Sequence, residues 1–336
     1  MSSQSEQIEH YILTNLDKHP ADIATSICQR FGVTRMTATR YLQKLILEQK
    51  VIKSGKTSDT RYYLSNTKNK SIDLKIDPEL DEFAVFEKHL DPALKTLPPN
   101  QYKILEYACT ELINNTKDHS HGKHLHLEIR WHKDAVTVLI QDDGLGIFKK
   151  LQNAFHFSTL QEGLLTLTKG KITTDRKNHT GEGVFFSSRS VDRIAIDANG
   201  IRYIKDNAAD DWFYEKSDIK RGTTILLTVQ FNCSRDIKDI FHAYTSEDYE
   251  FNKTDILVEL AKMGHERYVS RSQAKRILAS LDRFSRIVLD FRGIETVGQG
   301  FVDEVFRVFK NDHPNIEITY RNANDEVEFM IRRGTS

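Results

Sequence analysis

Apolar positions along the chain change their spacing three times. From Gln7 to Leu64 the spacing is helical. Ile8, Tyr11, Ile12 and Leu16 share one face, and Ile23, Ile27 and Phe31 share the face of a second segment. Gly32 breaks that second helix, Val33 enters a turn, and Thr34 is placed to cap a third helix running from Thr34 to Gln49. The stretch VIKSGKTSDTRYYL then reads as two short strands around a Ser-Gly-Lys turn. The order is helix, helix, turn, helix and wing.

A polar, lysine-rich stretch, Ser65 to Ile76, reads as a linker. Between about 77 and 245 the pattern predicts helices over Glu82–Thr96 and Gln101–Asp118, followed by the alternating strands HLHLEIRW and AVTVLIQD. Glycine-rich turns, a helix near Val184–Val191 and the strands RIAID and TILLTVQF complete an α+β unit. From about 250 short apolar strands (DILVEL, RIVLDF, IEITYR) alternate with amphipathic helices, the mark of a small α/β domain.

Composition adds limits. At 336 residues the chain exceeds what one hydrophobic core organises. Lys and Arg number 48 against 48 Asp and Glu, so the chain as a whole is not a polyanion binder. Residues 1–65 carry nine Lys/Arg and six Asp/Glu, a local excess of the sign that DNA favours. Cys28, Cys109 and Cys233 are far apart with no CxxC pair, as expected of free thiols in a cytosolic protein. There is no basic-then-apolar leader and no apolar run approaching ~18 residues, so the expected location is cytoplasmic and no membrane partner is expected.

Four pieces of the middle unit carry chemistry. In ELINNTKDHS, Glu111 and Asn115 lie four apart and share a helix face. DDGLGI places Asp142 at a strand end, followed by Gly144 and Gly146. HTGEGVFFSSR sets Gly181 and Gly183 before a helix, and RGTT leads through Thr223 into a strand. A strand-end Asp can accept from an adenine amino group, and glycines allow close approach of the chain. A helix N-terminus suits phosphate. An Asn offers Mg²⁺ a neutral hard oxygen, and a Glu one turn away can polarise a water.

In that order the pieces resemble the GHKL ATPases, which include gyrase B, MutL, heat-shock-90 chaperones and histidine kinases. The resemblance spans roughly 100 to 230. It implies Glu111 as general base, Asn115 as Mg²⁺ ligand and Asp142 as adenine contact. It further implies Gly144, Gly146, Gly181 and Gly183 as pocket-shaping glycines, Thr223 at the adenine end and Lys149–Asn178 as the ATP lid. Lys169 and Lys171 in the lid are candidates for phosphate contact, against the plainer reading of a solvated loop. His119, His121, His124, His126 and His132 cluster nearby. With no cysteine or dense carboxylate set beside them, they read as surface or turn histidines before they read as a zinc site.

Residues 7–64 resemble a winged helix-turn-helix of bacterial regulators. That resemblance makes Thr34, Arg35, Thr37 and Arg40 candidates for DNA contact from the recognition helix, with Lys53, Lys56 and Arg61 at the wing. A role in protein contacts alone stays open. Residues 251–334 resemble a STAS-like domain, carried by RIVLDFRGIETVGQGFVDEVFRVF. At the phosphoacceptor position of that pattern stands Gln299, which cannot be phosphorylated, with Thr296 the nearest hydroxyl.

The expectation is a multidomain α+β chain: a winged helix-turn-helix over 1–65, a GHKL α/β sandwich over 77–245 and a STAS-like domain over 250–336. Its expected function is that of an ATP-binding, ATP-hydrolysing, Mg²⁺-dependent DNA-binding transcriptional regulator. A protein partner would act through the STAS-like domain, and homodimerisation is left open. The alternative is a serine or histidine protein kinase of a partner-switching pathway.

Overall fold

The computed structural model describes residues 4–335 apart from 17, 48–49, 55–59, 65–69, 133, 172–180, 249 and 262–267. Three helices open the chain: α1 (Gln4–Asn15), α2 (Ile23–Phe31) and α3 (Arg35–Leu47). Ile8 and Ile12 on α1, Ile23 and Ile27 on α2, and Ala38, Leu42 and Leu45 on α3 close a core of their own with Val51. Gly32 ends α2 in the left-handed conformation, and the Thr34 hydroxyl accepts from the Thr37 N–H at 3.2 Å at the start of α3. Strands β1 (Val51–Ser54) and β2 (Arg61–Leu64) form an antiparallel pair. Tyr63 of β2 leaves this core. Its ring stacks on Phe231 at 5.2 Å and on Trp131 at 5.5 Å, which ties the N-terminal unit to the next one.

The middle unit departs from the sequence reading at its edge. Lys70–Lys75 is not a linker but a strand, β3, with Ile72 and Leu74 on its half-buried side. Next come α4 (Glu82–Val85), a π-helical stretch (Phe86–Leu90), α5 (Asp91–Leu94) and the long α6 (Pro99–His119). Strands β4 (His124–Trp131) and β5 (Ala135–Asp142) precede α7 (Ile147–Phe155), α8 (Leu160–Lys169) and α9 (Gly183–Ser190). The unit ends with β6 (Arg193–Ala198), β7 (Ile201–Asp206), β8 (Asp211–Lys216), β9 (Thr223–Gln230) and α10 (Ile237–Tyr244). Seven strands make one antiparallel sheet in the order β3-β4-β5-β9-β6-β7-β8. The β6–β7 turn is Asn199-Gly200, both at positive φ, as a two-residue hairpin of this twist requires.

Register explains the sheet's apolar face. Leu127, Ile140, Ile225, Ile196 and Tyr203 form one row across it, and Ile129, Val138, Leu227 and Ile194 the next. All nine are buried in the main core, with Leu105, Ala108, Leu112 and Ile113 of α6. Because side chains alternate along a strand, Val136, Val138, Ile140 and Asp142 share that side. Asp142 is therefore the one carboxylate at the end of an apolar stripe.

The last unit holds β10 (Lys253–Leu257), a 3₁₀ turn (Val258–Ala261), β11 (Tyr268–Val269), α11 (Arg271–Leu278) and β12 (Arg286–Asp290). It continues with β13 (Thr296–Val297), α12 (Gln299–Val302), a π-helical stretch (Asp303–Phe309), α13 (Lys310–Asp312), β14 (Glu317–Arg321) and α14 (Asp325–Thr335). Strands β10, β12 and β14 pair in parallel, and β11 pairs with β13. Its core is continuous with that of the middle unit, joined where Phe185 meets Phe251 at 4.5 Å. Among the described residues the three cysteines are free, and no helix is long and apolar enough to cross a membrane.

The three-ring stack gives a first prediction. Tyr63→Ala should weaken docking of the N-terminal unit and speed proteolytic cleavage N-terminal to β3 by roughly 30-fold. Limited proteolysis followed by mass spectrometry measures this, and an unchanged cleavage rate refutes it.

Candidate nucleotide site

A cleft enclosing about 980 Å³ of atom-free space, open mouth included, lies between α6, the β5 end, α7 and the start of α9. Glu111, Asn115, Asp142, Gly146, Gly181, Gly183 and Thr223 line it together. Residues from four separated stretches of sequence thus meet at one place.

Helix α6 supplies one wall. Leu112 and Ile113 are packed into the core, and Glu111 and Asn115, half-buried, turn to the cleft. The chain closes tightly round the Glu111 carboxylate: a Cβ at Gly183 would collide with its Oε2. A side chain at Gly183 would make the Glu111 carboxylate move. A Cβ at Gly144 would collide with the Ser120 carbonyl, so the turn after β5 rests on the end of α6. Gly144 stands just behind the lining. Tyr107, one turn before Glu111, has its hydroxyl pushed up by burial and by the Glu111 and Glu182 carboxylates.

Asp142 forms the floor, with 7% of its surface exposed. Its Oδ1 accepts from the Gly144 N–H at 2.8 Å, and its strand partner is Thr223. Burial raises its pKa, and hydrogen bonds from Gly144 and Thr223 oppose that rise. The Thr223 hydroxyl accepts from the Ile147 N–H at 3.1 Å, fixing the start of α7 against β9.

The structure sends other expected residues elsewhere. Lys171 does not line the cleft. Its Nζ donates to the Arg283 carbonyl at 3.3 Å, while an Arg283 guanidinium N–H donates to the Lys171 carbonyl at 2.8 Å. Lys169 is buried and donates to the carbonyls of Arg276 and Ala279 at 2.8 and 3.0 Å, and burial pushes its ammonium down to about 7. Both lysines end on the C-terminal unit. Of the expected lid, 172–178 lie outside the described residues.

Two elements of the cleft are fastened to that unit. Besides Lys169, the Lys169 carbonyl at the end of α8 accepts from the Thr254 hydroxyl at 2.7 Å. On α9, Arg189 pairs with Asp255 of β10 at 3.3 Å, both nearly fully buried. Burial opposes the Asp255 charge, yet Arg189, Lys205 and Arg321 hold its carboxyl below the ordinary range.

Sequence reading did not single out Lys150, which lines the cleft with Ile147 and Leu151. The signal was available: 147, 150 and 151 share one helix face directly after the DDGLG turn. Two of the histidines pair with carboxylates, His124 with Asp143 and His126 with Asp73, each at 2.7 Å. Among the described residues no group of three or more His, Cys, Asp or Glu could hold a metal ion. On the N-terminal unit, Thr34, Arg35 and Arg40 are exposed on or just before α3 and Thr37 is half-buried there, while Lys53 is exposed on β1. Lys56 lies outside the described residues. Gln299 is exposed at the first position of α12, and Thr296 is half-buried in β13.

Beside the floor, Asp143 accepts from the His124 ring at 2.7 Å and from the backbone N–H groups of Lys123 and His124. The His124 bonds hold its carboxyl far below the ordinary carboxylate range. A depressed folded pKa contributes stability above the unfolded value of about 3.9, and that contribution is lost as pH falls through the folded value. The gap in thermal midpoint between the wild type and Asp143→Asn should be larger at about pH 5 than below about pH 4. Thermal scans at stepped pH check this, and a gap that widens in acid contradicts it.

Comparison with known families agrees with the geometry. Residues 100–232 match the family model of the histidine kinase-, DNA gyrase B- and HSP90-like ATPases, and residues 273–328 match a STAS-like domain of unknown function (DUF4325). A search of curated proteins finds no match. Neither family model reaches the N-terminal unit. The chain thus carries a GHKL-type ATPase domain, which suggests ATP binding, and a STAS-like domain, which suggests a partner-switching role.

Proposed function

We propose that the chain is an ATP-binding, ATP-hydrolysing regulator in which the nucleotide state controls what the outer units bind. The observation that carries this reading is the double fastening of the cleft to the STAS-like unit. Helix α8 ends on α11 through Lys169, and α9, whose first turn faces the cleft, is held by Arg189 on Asp255. A ligand that changes the position of α9 changes that contact too. Coupling of this kind requires contacts that differ between the two nucleotide states.

The residues divide the chemistry between them. Asp142, fixed by the Gly144 N–H, would accept from the adenine amino group, with Thr223 beside it. Gly183 begins α9, whose free N–H groups suit phosphate. Asn115 presents the neutral oxygen that Mg²⁺ takes, and the bound ion would neutralise phosphate charge. Glu111 is set close to the α9 N-terminus, where a carboxylate can draw a proton from a water attacking the γ-phosphate. The N-terminal unit, three helices and a hairpin, supports a winged helix-turn-helix reading. Thr34 just before α3, with Arg35 and Arg40 exposed on it, would contact DNA, and Lys53 would meet phosphate.

Glu111→Ala should keep ATP binding and lose phosphate release by about 100-fold or more. Release of labelled phosphate from γ-labelled ATP reads this directly, and unchanged turnover removes Glu111 from the role of base. Arg40→Ala should weaken retention of genomic DNA fragments in a low-salt shift assay. If the intact wild type retains no DNA with or without ATP, the DNA-binding part of the reading fails.

A further inference from the structure

A nucleotide polyphosphate brings several negative charges into a cleft that already holds Glu111 and Asp142. Something must offset them, because unpaired charge away from water is costly. Among the described residues lining the cleft, Lys150 is the only lysine or arginine. Among the described residues, three other lysines near it are tied to partners of their own. Lys149 donates to Gln152 at 2.8 Å, Lys169 to the carbonyls of α11 and its following turn, and Lys171 to the Arg283 carbonyl. Arg221 faces a separate cavity with His124 and His126.

Lys150 has the geometry of a cation held in readiness. It stands one turn into α7, on the face that Ile147 and Leu151 also turn to the cleft. Its Nζ donates to the carbonyl of His119, the last residue of α6, at 2.7 Å. That carbonyl would ordinarily meet the N–H of Lys123, but the chain turns and this N–H donates to Asp143 instead. Lys150 therefore covers a helix C-terminus, where partial negative charge collects. The compensation is incomplete. Burial pushes the ammonium down to about 8 although Asp118 draws it the other way.

We infer that Lys150 is a phosphate-binding residue of this site: its ammonium exchanges the His119 carbonyl for a phosphate oxygen of a nucleoside di- or triphosphate. This rests on the nucleotide reading above and sharpens it. The α6 end and the α7 face become the place where the site distinguishes a phosphorylated nucleotide from the bare nucleoside. A phosphate oxygen carries full charge where the carbonyl carries a partial one, so the exchange strengthens as negative charge on the ligand grows. A rival role for Lys150 is that of a staple between α7 and α6. A staple would support adenosine and ATP alike.

The test uses the full chain and three ligands: ATP, ADP and adenosine. Calorimetric titration gives the affinities for ATP and ADP, and competition against a fluorescent adenine nucleotide gives that for adenosine. Lys150→Met should lose roughly 10- to 100-fold in affinity for ATP and ADP and leave adenosine unchanged. Lys150→Arg, which restores the charge, should recover most of the loss. If Lys150→Met binds ADP like the wild type, or loses adenosine to the same degree, Lys150 is not a phosphate ligand. Asp142→Asn separates the two claims. A wild type that binds all three ligands, with Asp142→Asn binding none, upholds the nucleotide site whatever Lys150 does. A wild type that binds none of them overturns both.

Discussion

The pair between Arg189 and Asp255 holds the architecture of this chain together. It joins the helix behind the glycine turn to the first strand of the STAS-like unit, at 3.3 Å and out of contact with water. Removing one partner of such a pair leaves a buried charge and typically costs about 3–5 kcal/mol. The surroundings reinforce it. The Arg189 guanidinium lies 3.4 Å from the centre of the Phe185 ring, and Phe185 packs on Phe251 of the C-terminal unit. Two family matches that end at 232 and begin again at 273 thus describe units that share one continuous core.

The cleft follows from the same economy of small and charged groups. Helix α6 lies on the sheet with its apolar face down, so Glu111 and Asn115 can only turn toward the gap between α6 and α9. The sheet's two-residue period brings Asp142 to the same side. Glycines stand where the backbone of one element meets the side chain or carbonyl of another: Gly183 against Glu111, Gly144 against Ser120.

Much of this was legible in the sequence because it rests on local spacing. The helical repeat located α6, and the alternation of AVTVLIQD located β5 and the aspartate at its end. The strand β3 was hidden because only Ile72 and Leu74 carry its period among lysines and polar residues. Strands β7 and β8 were not singled out, although Asn199-Gly200 is a strong hairpin signal. The lysines were harder. Local spacing puts Lys150 on the face of Ile147 and Leu151, but nothing local shows that Lys169 and Lys171 are claimed by carbonyls more than a hundred residues away. Which cation meets a ligand depends on how another unit docks, and docking leaves no period in the sequence.

The stack of Tyr63 on Trp131 and Phe231 has a mechanical meaning. Trp131 pairs with Val136, at the opposite end of β4 and β5 from the pair Leu125 and Asp142. Six residues of extended strand separate the two ends, about 20 Å. The N-terminal unit is thus mounted on the far tips of the strands whose near ends floor the cleft. Paired strands are stiff along their length, so the cleft and the N-terminal unit sit at opposite ends of one stiff pair. A slight tilt of the sheet at Asp142 would displace the whole N-terminal unit. Its alignment would then follow the angle of the sheet, at a distance and without any shared pocket.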